Sequence, residues 1–203
     1  MYPAPLSTPT VICPERGADT GLLDSAAAGS ARLSPHSAVK SDQPLINPTQ
    51  TLWTPLAPLT LDWRADAPVA RDSGDIFFST EDGLAESRYV FLEGNRLSER
   101  WPAQTTDQPF VIGEIGLGTG LNLCLTVVEW LRQRRPGATL HSVGLERAPF
   151  RPQDMCRALG HWPELTPVLN ALLARWPDPL PGCHRRYFTE WDLTLDLWWA
   201  DAA

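Results

Sequence analysis

Phe110-Val111-Ile112-Gly113-Glu114-Ile115-Gly116-Leu117-Gly118-Thr119-Gly120-Leu121 is the stretch that decides how this chain folds. Its first six residues form a short apolar run bounded by turn signals, which reads as a buried parallel strand. Glycines follow at positions 116, 118 and 120. Glycine tolerates positive φ and lets a ligand approach the backbone with no Cβ in the way. Leu121, Cys124, Leu125, Val128 and Leu131 then recur at helical spacing, with Asn122, Glu129 and Gln133 on another side. Pro136-Gly137 stops that helix. Strand, glycine loop and helix in this order give a glycine motif its meaning, because amides at a helix start can receive a ligand's polar groups.

Working downstream, Thr139 to Glu146 reads as the next strand. Thr166 is a candidate N-cap with Pro167 at the first helical position. Val168, Leu169, Leu172, Leu173 and Trp176 make one apolar stripe behind it. Leu193 to Ala200 reads as a last strand. The order strand, helix, strand, helix, strand implies a parallel sheet with right-handed crossovers, the α/β doubly wound class. Upstream, Leu59 to Trp63 alternates like a strand and Asp75 to Ser79 is a second short one. Asp82-Gly83 opens a helix running from Leu84 towards Trp101, weakened in its middle by Gly94.

The 203 residues are 43% apolar and 20% charged, a globular composition with no apolar run approaching a membrane span. With no secretory signal visible, a cytoplasmic location is expected. The net charge is −7 and Lys40 is the only lysine. Such a balance argues against broad affinity for nucleic acid, though a local basic patch can overcome it. All nine tryptophans and all six phenylalanines lie beyond Gln50. Residues 1–52, rich in Pro, Ser and Ala, therefore read as a disordered extension, and 53–203 as the folded part. Cys13, Cys124, Cys156 and Cys183 have no metal-ligand spacing and are expected as reduced thiols, and the histidines form no metal constellation.

Two nucleotide-type readings compete for the loop. A dinucleotide fold wants G-x-G-x-x-G, whose third glycine here would be Leu121. The pattern present is E-x-G-x-G-x-G, which resembles the first motif of class I S-adenosylmethionine methyltransferases. That motif makes Glu114, Gly116, Gly118, Thr119, Gly120 and Asn122 the candidate cofactor-binding residues. Glu146 closes the second strand, 26 residues after Gly120. A carboxylate there can accept two hydrogen bonds from ribose hydroxyls, the alternative being a solvated charge at a strand end.

Several strings in combination carry a more specific resemblance. They are Gly83-Leu84-Ala85-Glu86-Ser87-Arg88-Tyr89-Val90-Phe91-Leu92-Glu93-Gly94-Asn95, Gly116 to Asn122, His161-Trp162-Pro163-Glu164-Leu165, Leu180-Pro181-Gly182-Cys183-His184-Arg185 and Leu193 to Trp198. Over about residues 55 to 203 the chain resembles the N-terminal methyltransferase domain of the MnmC family, bifunctional enzymes of tRNA wobble-uridine modification. The resemblance implies a Rossmann-like class I methyltransferase sheet, truncated after its third strand and preceded by a small strand/helix element. It implies S-adenosylmethionine as cofactor and methyl transfer to the aminomethyl group of 5-aminomethyl-2-thiouridine in a tRNA anticodon loop. It places Glu114 and the glycines beside the methionine part, Glu146 on the ribose and Asp201 near the adenine amino group.

The sequence departs from the family at two places. Arg147 and Ala148 stand where a lysine and an aromatic usually follow the ribose acid. The family's Asp-Gly-Phe-x-Pro motif, whose Asp is its expected catalytic acid or base, would lie beyond residue 203. The chain is thus expected to be an N-terminal fragment, inactive alone, with its FAD-dependent oxidase domain acting in cis in the full-length protein. Were it active, Glu86 or Asp201 would be the first residues to suspect. Candidates for stacking on a splayed anticodon base are Tyr89, Phe91 and Trp101, each with a core role as the alternative. Arg88, Arg96, Arg100, Arg185 and Arg186 are candidates for phosphate contact or for an ordinary solvated face. Two other classes stay open: a non-catalytic nucleotide-binding fragment, and a dinucleotide-dependent oxidoreductase.

Overall fold

The computed structural model describes residues 54–104 and 107–202. The extension read at 1–52, with Cys13, lies outside the described residues. The first elements are two short antiparallel strands, β1 (Leu61–Arg64) and β2 (Ala67–Ala70), joined through Ala65 at φ 52°. The strand expected at Asp75 to Ser79 reduces to a single bridge, Val69 to Ile76.

The one helix expected from Leu84 to Trp101 is three pieces: α1 (Gly83–Ser87), a π-helical turn (Arg88–Glu93) and α2 (Leu97–Ala103). Asp82 caps α1, its Oδ1 accepting the Ala85 N–H at 3.0 Å. The break falls where the sequence weakens the helix. A Cβ on Gly94 would sit 2.3 Å from the Val90 carbonyl oxygen, so the exit of the π-turn admits only glycine. Arg96 at φ 51° then redirects the chain into α2.

The main sheet begins with β3 (Phe110–Ile115) and is followed by α3 (Leu121–Gln133) and β4 (Leu140–Glu146). Next come α4 (Pro152–Leu159), α5 (Thr166–Leu173), β5 (Gly182–Phe188) and β6 (Leu193–Trp199). The strand order is β3-β4-β6-β5. β3, β4 and β6 run parallel, as expected, while β5 turns back antiparallel to β6. Neither α4 nor β5 is in the sequence reading. β5 escapes it because Cys183-His184-Arg185-Arg186 carries no apolar run. That polarity suits an edge strand, which charged side chains protect from further pairing. Thr166 is also not the cap of α5. Leu165 holds that position, and Thr166 begins the helix with its hydroxyl buried and unpartnered.

Side-chain alternation sorts the sheet into two faces. Ile112, Leu140, Leu193, Leu195, Leu197 and Trp199 are buried against the helices. Val111, Ile115, Tyr187 and Trp198 point the other way and are exposed. Among the described residues the helices thus cover one face only. On the open face Asp196 is held by Arg185 (Nε to Oδ1 2.6 Å, Nη2 to Oδ2 2.7 Å) and by His141 (2.8 Å). The Arg185 fork, with His141 adding to it, brings the Asp196 carboxyl down to about 2. Of the cysteines, Cys124 and Cys183 are free thiols. Cys156 is disulfide-bonded, which corrects the expectation of reduced thiols for that residue.

Among the described residues no helix is long and apolar enough to cross a membrane. Trp101 anchors the packing of α2 on α3: it is fully buried, with its ring centroid 5.6 Å from Trp130 and 6.3 Å from Phe110. Its indole N–H has no partner among the described residues. Trp101→Ala is expected to cost about 3–5 kcal/mol in urea unfolding, through the cavity it leaves. Trp101→Phe should cost far less, because it keeps most of the ring and removes the unpaired donor.

Candidate cofactor site

The glycine loop sits at the carboxyl end of β3, where ligands bind in open α/β sheets. Gly116, Gly118 and Gly120 all adopt positive φ (78°, 55° and 78°), which accounts for the spacing of the motif. The loop is fastened to the neighbouring strand. The Gly116 and Leu117 N–H groups both donate to the Leu145 carbonyl, at 2.8 and 3.2 Å. The Gly118 N–H donates to Glu146 Oε2 at 2.9 Å, and the Ala148 N–H to Glu146 Oε1 at 2.8 Å.

This arrangement revises one part of the sequence reading. The loop amides are largely taken up inside the protein rather than offered to a ligand. Gly120 N–H donates to the Leu117 carbonyl and Leu121 N–H to the Thr119 hydroxyl. Thr119 is itself buried and serves the helix start. With these amides occupied, the groups left to meet a ligand at the loop are chiefly side chains. Each carboxylate oxygen has a second lone-pair direction, so Glu146 can hold the loop and still accept two hydroxyls.

Glu114 lies one residue from the end of β3, and Asn122 lies in the first turn of α3. Asn122 Nδ2 donates to Glu114 Oε1 at 2.9 Å. Both line a small cleft over the loop with Phe77, Ser87, Gly116 and Gly118. Burial pushes the Glu114 carboxyl up to about 7, with the charge of Glu146 adding to it and the Asn122 hydrogen bond opposing it. Asp201 follows β6 at the same end of the sheet, exposed, with the Arg147 guanidinium 3.9 Å away. The loop, Glu114, Asn122, Glu146 and Asp201 therefore gather along one edge of the sheet.

Phe77 and Ser87 are missing from the sequence reading. Phe77 roofs the loop: a Cβ on Gly118 would lie 3.1 Å from its ring. It is braced edge-on by Phe150 at 4.8 Å. The failed alternation of Ile76-Phe77-Phe78 was the available signal, because two adjacent aromatics cannot both face one side of a strand.

The candidate tRNA contacts divide. Trp101 is core. Tyr89 is exposed and Phe91 partly buried. Arg88 is engaged by Glu129 and Glu164, Arg96 by Glu99, Arg185 by Asp196 and Arg186 by backbone carbonyls. Arg100 lies over the Phe110 ring and reaches the Asn95 carbonyl. Among the described residues no group of His, Cys, Asp and Glu is arranged to hold a metal.

The fold is a Rossmann-like α/β domain with its glycine loop at the carboxyl end of the parallel strands. A crystallised MnmC2 from Aquifex aeolicus has the same fold, with a TM-score of 0.52 over 74% of this chain and 45% of that one, at 19% identity. No protein-family profile matches the chain. Two curated relatives are much nearer in sequence, both tRNA 5-methylaminomethyl-2-thiouridine biosynthesis bifunctional proteins MnmC. The Aeromonas salmonicida protein is 47% identical over 145 residues and that of Aeromonas hydrophila 44% over the same length, each match covering 70% of this chain. The chain is a homologue of the MnmC bifunctional proteins, and it spans about a fifth of their length.

Glu114 generates a test of the site's electrostatics. Its raised pKa means that the folded state keeps the proton to higher pH than the unfolded chain does. The favourable contribution is present below the ordinary carboxylate range and is lost as pH rises through about 7. The thermal midpoint is expected to fall between pH 5 and pH 7.5. Glu114→Gln, which keeps the Asn122 contact without a charge, should flatten that slope.

Proposed function

We propose that this chain is the methyl-transferring part of a tRNA wobble-uridine modification enzyme. In this reading it carries the S-adenosylmethionine site of an enzyme that methylates the aminomethyl group of 5-aminomethyl-2-thiouridine, the chain itself being inactive alone. The observation that carries the reading is Glu146, held at the end of β4 by the Gly118 and Ala148 amides beside an E-x-G-x-G-x-G loop. The relatedness to MnmC proteins supplies the substrate. In the whole protein the partner in cis is an FAD-dependent oxidase region, the macromolecular substrate is the tRNA anticodon loop, and the location is the cytoplasm.

The residues present fit the cofactor. A Cβ on Gly116 would meet nothing within 4 Å, so the space over the loop is open to a ligand. Glu146 would take the ribose hydroxyls and Asp201 the adenine amino group. The Glu114–Asn122 pair would face the ammonium of the methionine part. When bound, S-adenosylmethionine supplies an electrophilic methyl group on a sulfonium. The chain's contribution is alignment, since holding donor and acceptor in an attack geometry supplies much of the acceleration in such transfers. The dinucleotide alternative is disfavoured by Leu121, which occupies the place of the third glycine and is buried at the head of α3.

Calorimetry on this chain tests the reading. S-adenosylmethionine should bind, and Glu146→Gln should weaken it by about 1.5–3 kcal/mol through loss of charge-assisted bonds. Gly118→Val should abolish binding, because it forces a β-branched residue to φ 55° under the Phe77 ring. Affinity should rise from pH 6 to pH 8 as Glu114 ionises opposite a cation, and Glu114→Gln should lose that rise. Tighter binding of NAD or FAD than of the methyl donor would overturn the assignment.

A further inference from the structure

A second, larger cleft opens beside the glycine loop. It is bounded by the segment Ile76 to Asp82 on one side, and by Glu86, Ser87, Val90 and Phe91 of α1 and the π-turn on the other. It shares Phe77, Ser87 and Asn122 with the small cleft over the loop, so the two are continuous. Its walls differ in character. Ile76, Phe77, Val90 and Phe91 offer apolar and aromatic surface, with Ile76 and Val90 exposed. Such exposure is costly unless something covers it.

Among the described residues no cation lines this cleft. Arg88, adjacent in sequence, is turned away and engaged by Glu129 and Glu164. Asp82 is occupied as the cap of α1. Glu81 and Glu86 are exposed and make no ion pair among the described residues, and Glu86 is the one set on a helix, beside the Ser87 that the two clefts share. The π-turn itself is a departure from regular helix of the kind often found at functional sites. It brings Val90 and Phe91 round to the cleft that Glu86 and Ser87 of α1 also line. A phosphate would be repelled here, whereas a planar ring carrying a positive charge would be accepted on both counts.

We infer that this cleft is the acceptor pocket, taking a nucleobase that bears a cationic primary amine, with Glu86 as the residue that selects the amine. The inference rests on the proposed methyl-donor site, because it is continuity with that site that makes the cleft an acceptor pocket. Phe77, Val90 and Phe91 would pack on the base. Glu86 would receive the ammonium, drawing the substituent rather than the ribose-phosphate into the cleft. Base recognition of this kind works through the substituent and needs no phosphate clamp inside the pocket.

The test is binding of two nucleosides to the 203-residue chain, followed by tryptophan fluorescence or calorimetry with and without saturating S-adenosylhomocysteine. One is 5-aminomethyl-2-thiouridine and the other is 2-thiouridine, which lacks the amine. The wild-type chain should prefer the amine by about tenfold, the scale of one charge-assisted contact. Glu86→Gln should abolish the preference while leaving affinity for 2-thiouridine and for S-adenosylhomocysteine unchanged. Val90→Lys, at an exposed position, should turn the preference into discrimination against the amine. Equal binding of the two nucleosides by wild type, or an intact preference in Glu86→Gln, would overturn the inference. Failure to bind S-adenosylhomocysteine while the nucleoside preference persists would overturn the methyl-donor reading instead, leaving Glu86 as an amine site.

Discussion

The end of β4 holds the glycine loop in place, and the candidate site depends on that attachment. Leu145 offers its carbonyl to two loop amides and Glu146 its carboxylate to a third. A loop of three positive-φ glycines is entropically expensive to order and has no side chains with which to fix itself. Its shape is therefore imposed from the neighbouring strand. The register of β3 against β4 decides which carbonyl and which carboxylate reach it, since Ile115 pairs with Leu145. A slip of one residue would turn Glu146 to the other face of the sheet and leave the loop without its clamp.

Carboxylates gather around this edge, and their environments separate them. Glu146 is a hydrogen-bond acceptor saturated on one side by backbone. Glu114 is partly buried next to it and holds its proton to near neutrality, so two negative charges are not forced together at low pH. Further from the ligand edge, Glu129 is buried but surrounded by Arg88, Arg132 and Gln133, and is kept ionised by them. The same residue type thus serves as a clamp, a titrating group and a tie between the π-turn and α3. The ties explain why an arginine-rich chain shows so few free guanidinium groups at the places where the sequence offers them.

Much of this was legible in sequence where one local signal decided the outcome. β3, the loop, α3 and β4 follow from an apolar run, a glycine spacing and a 3.6-residue period, and Glu146 from its distance beyond the loop. The losses came where tertiary context overrode local pattern. β5 has no apolar alternation to see, because it is an edge strand whose arginine serves Asp196 on β6. The π-turn could not be told from a plain helix, since its cause is the fit of Gly94 against the Val90 carbonyl. Phe77 was hidden because its contact is with a loop forty residues away, and the buried Thr119 hydroxyl accepts the Leu121 N–H at the head of α3, a contact that no local pattern announces.

The strand order carries a consequence for how the chain is made. β6 lies between β4 and β5, yet it is the last of the three to leave the ribosome. Its pairing with β4 joins residues about fifty positions apart, from Leu140 with Leu193 onward. Its pairing with β5 closes across a single short turn, from Phe188 to Leu193, through Asp192 in the left-handed region. Local closure carries the smaller entropic cost and comes first. β5 and β6 would then arrive at β4 as a preformed hairpin, docking edge-on with their apolar face towards the helices. The segment that sequence patterning reveals least is in this view the carrier that delivers the central strand.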